Sequence, residues 1–315
     1  MNNRYRVCFV GLGSIAKRHI RNLKEVMAAR GDSCSIDVLR SGRGQEIPQE
    51  TASLLDRVCY SEDELSASYD MIFITNPTAG HFDTLHRLQD RTEAFFIEKP
   101  VFQTSAVDLS KLNLAGKCCY VACPLRYTGV IEYLKKNLVP DDVRNIRVVS
   151  ASYLPEWRPG TDYRESYSAR KSLGGGVSID LIHEWDYIIW LIGMPVHVTS
   201  FISKISDLEI DSDDIAIYVG EYPDCFVELH LDYFTREPVR RIEITTQEGV
   251  ITADLIRQTV SLPGQKEIIS FESERDSFQK KELEFFLDIV SGKVENTNDI
   301  DHAMKVLSIA EGKMI

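Results

Sequence analysis

Six residues near the start of the chain restrict its fold more than any other segment. Gly11-Leu12-Gly13-Ser14-Ile15-Ala16 follows a compact apolar run at 5–10 and opens an amphipathic stretch at 14–29. A strand that feeds a glycine turn and then a helix is the arrangement that holds a dinucleotide. Gly11 permits the tight turn, Gly13 lets the backbone approach a pyrophosphate, and Ala16 allows close helix–sheet packing. Ser14 and Ile15 stand at the helix N-terminus, where backbone amides are offered to an anion. A glycine turn in a sheet that binds nothing would share the motif, but the strand before it and the alternation beyond it favour binding.

That alternation continues. Short two-sided apolar runs at 35–39, 57–60, 71–75, 94–97 and 118–122 are separated by helical stretches near 47–55, 62–67, 80–89 and 105–114. The rhythm predicts a doubly wound parallel sheet, an α/β Rossmann domain over 1–123. Beyond it the pattern changes to a helix at 126–138, a long alternating strand at 144–153 and a loop rich in Trp, Pro and Tyr at 154–173. Three glycines at 174–176 then open one apolar helix ending near Gly193. Strand-like runs follow at 196–204, 214–221, 225–232, 239–246, 249–254, 258–262 and 267–271, and helices at 276–290 and 300–312 close the chain. Residues 124–315 therefore read as an α+β domain for substrate binding and oligomerisation, with an open, largely antiparallel sheet. The last helix is free to pack back on the first domain.

With 36 Lys+Arg against 48 Asp+Glu, the 315-residue chain carries a formal charge of −12. That field opposes nucleic acid and anionic membranes, so a phosphorylated ligand must be held by local cations or helix N-termini. The apolar run at the N-terminus is too short for a signal peptide, and the longest apolar segment, 187–198, is broken by Gly193 and Pro195. Seven cysteines without a CxxC pair suit reduced thiols in a cytoplasmic protein. The end of the second strand bears on the nucleotide. An NAD site places an acid there, whereas this strand ends in Arg40-Ser41-Gly42-Arg43. Arg40 and Arg43 suit a 2′-phosphate and Ser41 can donate to it, so NADP is preferred over NAD; two solvated loop arginines are the alternative.

Further motifs sharpen the reading. Asn76-Pro77-Thr78-Ala79-Gly80-His81 follows the fourth strand and Glu98-Lys99-Pro100 the fifth, at strand ends where parallel sheets bind ligands. With the glycine triplet and Asp180-Leu181-Ile182-His183, they resemble the glucose–fructose oxidoreductase/inositol dehydrogenase (Gfo/Idh/MocA) family over nearly the whole chain. The stretches 153–159, 162–164 and 167–170 and His183-Glu184-Trp185-Asp186-Tyr187 are similar to a bacterial subgroup associated with acidic and amino sugars of surface glycans, sialic-acid-like sugars among them. In many other members the spacing from Asp to His is one residue longer. The resemblance implies an oxidoreductase that moves a hydride between NADP or NAD and a hydroxyl or keto group of a sugar derivative. It implies a catalytic or substrate-orienting role for Lys99, a cofactor role for Asn76, Pro77, His81 and Glu98, and a place for Arg126 in the substrate cleft. It also implies a flat sheet face that builds a homodimer or homotetramer.

Hydride transfer needs a partner for the hydroxyl proton. Lys99 is one candidate. His183 is the other, because positions 180, 183 and 187 share a face of a continuous helix, so Asp180, His183 and Tyr187 can meet there. No third ligand at suitable spacing suggests a metal. In the loop that follows the long strand, Trp157, Tyr163 and Tyr167 can stack on a sugar, while Arg158, Arg164 and Asp162 can bind its charged or hydroxyl groups; a solvated interdomain loop is the competing reading. His19, His86, His197, His230 and His302 have no supporting context. Two rival functions are a nicotinamide-assisted glycoside hydrolase or lyase with retained cofactor, and a non-catalytic NADP-binding sensor.

Overall fold

Strands with no polar face, such as Met71–Ile74 and Ala94–Ile97, are stable only where both sides of a sheet are covered. The computed structural model describes residues 3–42, 46–272, 274 and 276–313, and it satisfies that requirement. Six parallel strands, β1 (Arg4–Val10), β2 (Ser33–Leu39), β3 (Arg57–Cys59), β4 (Met71–Ile74), β5 (Ala94–Ile97) and β6 (Cys118–Val121), form a sheet of order β3-β2-β1-β4-β5-β6. Between them run α1 (Ser14–Ala29), α2 (Gln49–Ala52) and α3 (His81–Leu88). Parallel register aligns Phe9 with Phe73, Phe73 with Phe96 and Phe96 with Tyr120. One aromatic row thus crosses four strands, with centroid spacings of 4.4, 4.8 and 5.5 Å.

The chain forms two compact units, and the first is discontinuous: it runs through Ala122 and takes in Asp276–Ala303. Within it, a helix from the far end of the sequence, Ser277–Val290, sets Phe286 edge-on to Phe73 and Phe96 at 5.7 and 5.3 Å. Ion pairs of Arg30 with Asp288 at 2.6 Å and Lys280 with Glu25 at 2.6 Å fix that helix beside α1. Asn298 covers the sheet edge, exchanging backbone and side-chain bonds with Val121.

The second unit begins at Cys123. It contains α4 (Gly129–Asn137), β7 (Val143–Ala151), α5 (Val177–Asp180), α6 (His183–Ile192), β8 (His197–Ser203), β9 (Ile215–Glu221), β10 (Phe226–Asp232), β11 (Val239–Thr246), β12 (Gly249–Asp254), β13 (Thr259–Ser261) and β14 (Ile268–Ser270). The eight strands are ordered β14-β13-β12-β11-β7-β10-β9-β8; β7 and β10 run parallel and every other pair antiparallel. Trp185 of α6 meets Tyr218 of β9 edge-on at 5.6 Å. In sequence order α7 (Ser277–Val290) and α8 (Ile300–Ala310) come last, and α8 passes from the first unit to the second after Ala303. Among the described residues no helix is long and apolar enough to cross a membrane.

Local structure departs from the sequence pattern in four places. Only Gln49–Ala52 is helical within 47–55, and 62–67 holds a single 3-10 turn. No α-helix forms at 105–114, because the Asp108 side chain accepts from the Ser110 amide and hydroxyl and competes with a helical ladder. The apolar helix after the glycines is divided: bonds from Ile182 to Ile179 and from Glu184 to Leu181 step back three residues and separate α5 from α6.

Candidate active site

In the first unit, the turn after β1 has the shape of a phosphate cradle. Gly11 has φ +91°, and a Cβ there would stand 2.9 Å from Asn76 Cα and 3.0 Å from the Thr75 carbonyl oxygen. Gly13 differs, since a Cβ built on it meets nothing within 4 Å. The first turn of α1 carries no acidic residue and Gly13 supplies no side-chain cap, so the amides of Ser14, Ile15 and Ala16 are the unpaired donors of a helix start. A closed Gly11, an open Gly13 and positive helix-end charge fit a dinucleotide pyrophosphate.

Beyond Leu39, Arg40 and Ser41 form the tip of β2, and the Arg40 amide donates to the Cys59 carbonyl. Arg43 lies outside the described residues. The acid of β2, Asp37, is engaged elsewhere: Arg57 donates to both its oxygens at 3.2 and 2.5 Å and the Tyr69 hydroxyl donates at 2.7 Å. Burial pushes the Asp37 carboxyl up, but the Arg57 and Tyr69 bonds outweigh it and hold it below its ordinary value.

At the ends of β4 and β5 the expected residues form one bonded layer. Asn76 donates from Nδ2 to Thr84 Oγ1 at 3.1 Å, and Pro77 leads into α3. His81 is buried, with Nε2 at 2.9 Å from the Asn76 carbonyl and Nδ1 at 3.1 Å from the Val101 carbonyl. It joins the two loops from behind; it does not present its ring to a ligand. Burial lowers its pKa, which favours the neutral ring. Glu98 and half-buried Lys99 follow β5, and the Lys99–Pro100 bond is cis. Glu98 Oε1 lies 2.5 Å from Nε2 of His19, a residue that sequence reasoning passed over. A signal for it existed: His19 stands on the buried stripe of α1 between Ala16 and Leu23, where a polar ring requires a partner.

The second unit presents Asp180 and His183. Gly176, at φ +131°, faces the Asp213 carboxylate, which accepts from the Ser178 amide at 2.9 Å and so caps α5. Asp180 ends α5 and accepts from the buried Tyr233 hydroxyl at 2.5 Å. Tyr233 is in turn edge-on to Trp157 at 5.2 Å, and Trp157 Nε1 donates to Ser152 Oγ at 2.8 Å. Half-buried His183 opens α6 three residues beyond Asp180 across the intervening turn. Tyr187 does not join this pair. It is buried, burial raises its pKa, and it lies beside Glu184, whose carboxylate accepts from Arg240 Nε at 2.6 Å.

The remaining expected substrate residues are unevenly placed. Arg126 is 1 % exposed and donates from Nε and Nη2 to both oxygens of Asp186 at 2.8 and 2.6 Å, which anchors α6. A group so enclosed sets helix position and is not a hand for a sugar. Arg164 is exposed and already paired with Asp162 at 2.8 Å and Glu209 at 3.2 Å, so an anion there must exchange with carboxylates. Tyr163 accepts from the Glu209 amide at 3.2 Å, and Tyr167 is half-buried. Trp157, Arg158 and Tyr163 line a cavity of about 10 Å³, room for one water.

Comparison with known proteins agrees with this architecture. First, the chain shares its fold with several solved dehydrogenases. UDP-N-acetylglucosamine 3-dehydrogenase GnnA from Acidithiobacillus ferrooxidans superposes with a TM-score of 0.77 at 21 % identity, covering 98 % of this chain and 96 % of that one. Levoglucosan dehydrogenase in complex with NADH gives 0.81 at 15 % identity, over 98 % and 95 %. The WlbA dehydrogenase from Bordetella pertussis in complex with NADH and UDP-GlcNAcA gives 0.76 at 15 %, over 98 % and 95 %. More particularly, residues 141–252 match the family model described as the GFO/IDH/MocA C-terminal domain. In sequence the chain is 22 % identical over 204 residues to scyllo-inositol 2-dehydrogenase (NAD(+)) of Bacillus subtilis, spanning 62 % of this chain and just over half, 56 %, of that relative.

Proposed function

We propose that the protein is an NAD(P)-dependent oxidoreductase acting on a hydroxyl or keto group of a sugar derivative. The observation that carries the reading is the alignment, at one end of a parallel sheet, of the open Gly13 cradle with Glu98 and Lys99. A bound nicotinamide supplies the hydride acceptor or donor. The chain's own residues handle the rest. Lys99 orients the reacting oxygen and exchanges its proton, while His183 passes a proton on and Asp180, fixed by Tyr233, holds a sugar hydroxyl or the imidazole. The dehydrogenase names of the relatives support this class; one is named for UDP-N-acetylglucosamine and another carries UDP-GlcNAcA, which favours a surface-sugar derivative as substrate.

The absence of an acid from Arg40-Ser41-Gly42-Arg43 after β2 favours NADP; the solved relatives that carry NADH weigh on the other side. A homodimer through the open face of the eight-stranded sheet belongs to the same reading. Register puts Phe201, Ile217, Val219 and Phe226 on one face, with Phe201 67 % and Phe226 52 % exposed. Side-by-side fluorescence titration with NADPH and NADH tests the core of the reading, followed by turnover on UDP-linked and free sugars with wild type and Lys99→Ala. Tighter NADPH binding and a rate abolished in Lys99→Ala with nucleotide affinity intact are expected. Absence of binding to either nucleotide overturns the reading, and nucleotide that survives purification without net turnover moves it to redox-assisted glycoside cleavage.

A further inference from the structure

One imidazole interrupts the apolar stripe of α1. His19 is 1 % exposed and stands edge-on to Phe96 at 5.0 Å, on the aromatic row that crosses the sheet. Its Nε2 contacts Glu98 Oε1 at 2.5 Å, and among the described residues its Nδ1 has no hydrogen-bond partner. Burying an imidazole with a carboxylate contributes little to stability once desolvation is counted. What such a pair does provide is geometry: one oxygen of Glu98 is fixed to a ring wedged against the core, leaving the second for a donor from outside. Burial alone would push the Glu98 carboxyl up, but the His19 bond and charge, with Lys99 adjacent, bring it below its ordinary value, so the oxygen offered is that of a carboxylate.

Strand order says which part of a dinucleotide that oxygen meets. The pyrophosphate binds at the β1–α1 turn and the adenine ribose over β2, so the nicotinamide half extends to the other side of β1, over β4 and β5. Glu98 follows β5. We infer that His19 is a positioning residue: it holds Glu98 as the acceptor for the nicotinamide riboside half of the cofactor, whose carboxamide and ribose hydroxyls are donors. The inference rests on the reading of the first unit as a dinucleotide-binding domain.

The experiment compares two ligands that differ only in that half. Wild type, His19→Ala, His19→Gln, Glu98→Ala and the His19→Ala/Glu98→Ala double variant are titrated calorimetrically. The ligands are the tighter-binding reduced dinucleotide and the matching ADP, which lacks the whole nicotinamide riboside and is 2′-phosphorylated if NADPH is the tighter. Loss of a charge-assisted bond should weaken dinucleotide binding by about tenfold in His19→Ala and leave ADP within about twofold. His19→Gln, which keeps a donor, should recover most of the loss, and the double variant should be no weaker than Glu98→Ala. Equal losses for both ligands would mean that His19 merely supports α1, and additive losses or no loss would equally overturn the inference. Should His19→Ala fail to fold, Glu98→Ala and His19→Gln make the same comparison. Wild type that binds ADP and the dinucleotide while the variants bind like it sinks the inference alone; wild type that binds neither sinks the dinucleotide reading as well.

Discussion

The two glycines of the phosphate cradle should fail in opposite ways when each is changed to alanine. At position 11 the added methyl meets the backbone of Asn76 and Thr75 at 2.9–3.0 Å, and no side chain can swing aside. Overpacking of this kind costs about 1–3 kcal/mol. The φ of +91° adds the strain of a left-handed backbone, about 1–2 kcal/mol for a residue with a Cβ. Gly11→Ala should therefore lose about 2–5 kcal/mol, because the end of β1 must move away from β4. At position 13 the backbone is extended at φ −74° and the space is open. There alanine is the poorer N-cap, by several tenths of a kcal/mol, and gains a similar amount, about 0.4–1 kcal/mol, from a less flexible unfolded chain. Stability should stay within about 1 kcal/mol of wild type, yet the methyl occupies the approach of the pyrophosphate and should weaken nucleotide binding at least about tenfold. Urea unfolding followed by circular dichroism and titration with NADPH and NADH read the two effects separately. A Gly13→Ala protein that binds nucleotide normally, or one as destabilised as Gly11→Ala, refutes the assignment of the open space to a ligand.

Other perturbations follow from single contacts. Asp186→Ala leaves the Arg126 guanidinium buried beside Lys135, whose own pKa is lowered by burial and by that guanidinium. It should cost about 3–5 kcal/mol in urea, and Arg126→Met/Asp186→Leu should recover most of it; equal loss in both variants would mean the cost is packing. Tyr233→Phe removes the donor to Asp180 and should cost about 0.5–1.5 kcal/mol of stability while lowering kcat more than the KM for nucleotide. An unchanged kcat removes Tyr233 from the machinery. The lowered pKa of Asp37 means that its pairing with Arg57 stabilises the fold above the ordinary carboxylate value and is lost as pH falls through the lowered one. The melting-temperature gap between wild type and Asp37→Asn should thus be full at neutral pH and close in acid; a gap that widens in acid contradicts the sign.

What could be read from the sequence depended on the distance over which each signal acts. The parallel sheet was legible because a strand buried on both faces announces itself in four to seven consecutive residues, as in Met71–Ile74. The cradle was legible because strand, turn and helix are contiguous. Partners across the chain were not: Tyr233 stands 53 residues from Asp180, and His19 stands 79 from Glu98, and no local pattern marks either pair. The family resemblance placed Arg126 in the substrate cleft, but its 60-residue link to Asp186 makes it part of the scaffold. The helix expected at 105–114 failed on a local competition between the Asp108 side chain and the backbone, which hydrophobic spacing does not reveal.

The return of α7 to the first unit has a consequence for the order in which the protein can be built. A ribosome delivers β1 to β6 first, but Phe286, which closes over Phe73 and Phe96, arrives only after the whole of 123–275 has been made. Throughout that interval the nascent first unit carries an uncovered aromatic surface and an unprotected edge at β6. A fragment ending at Ala122 would be permanently in that condition, so the parallel-sheet unit is a product of the completed chain and not of its first third.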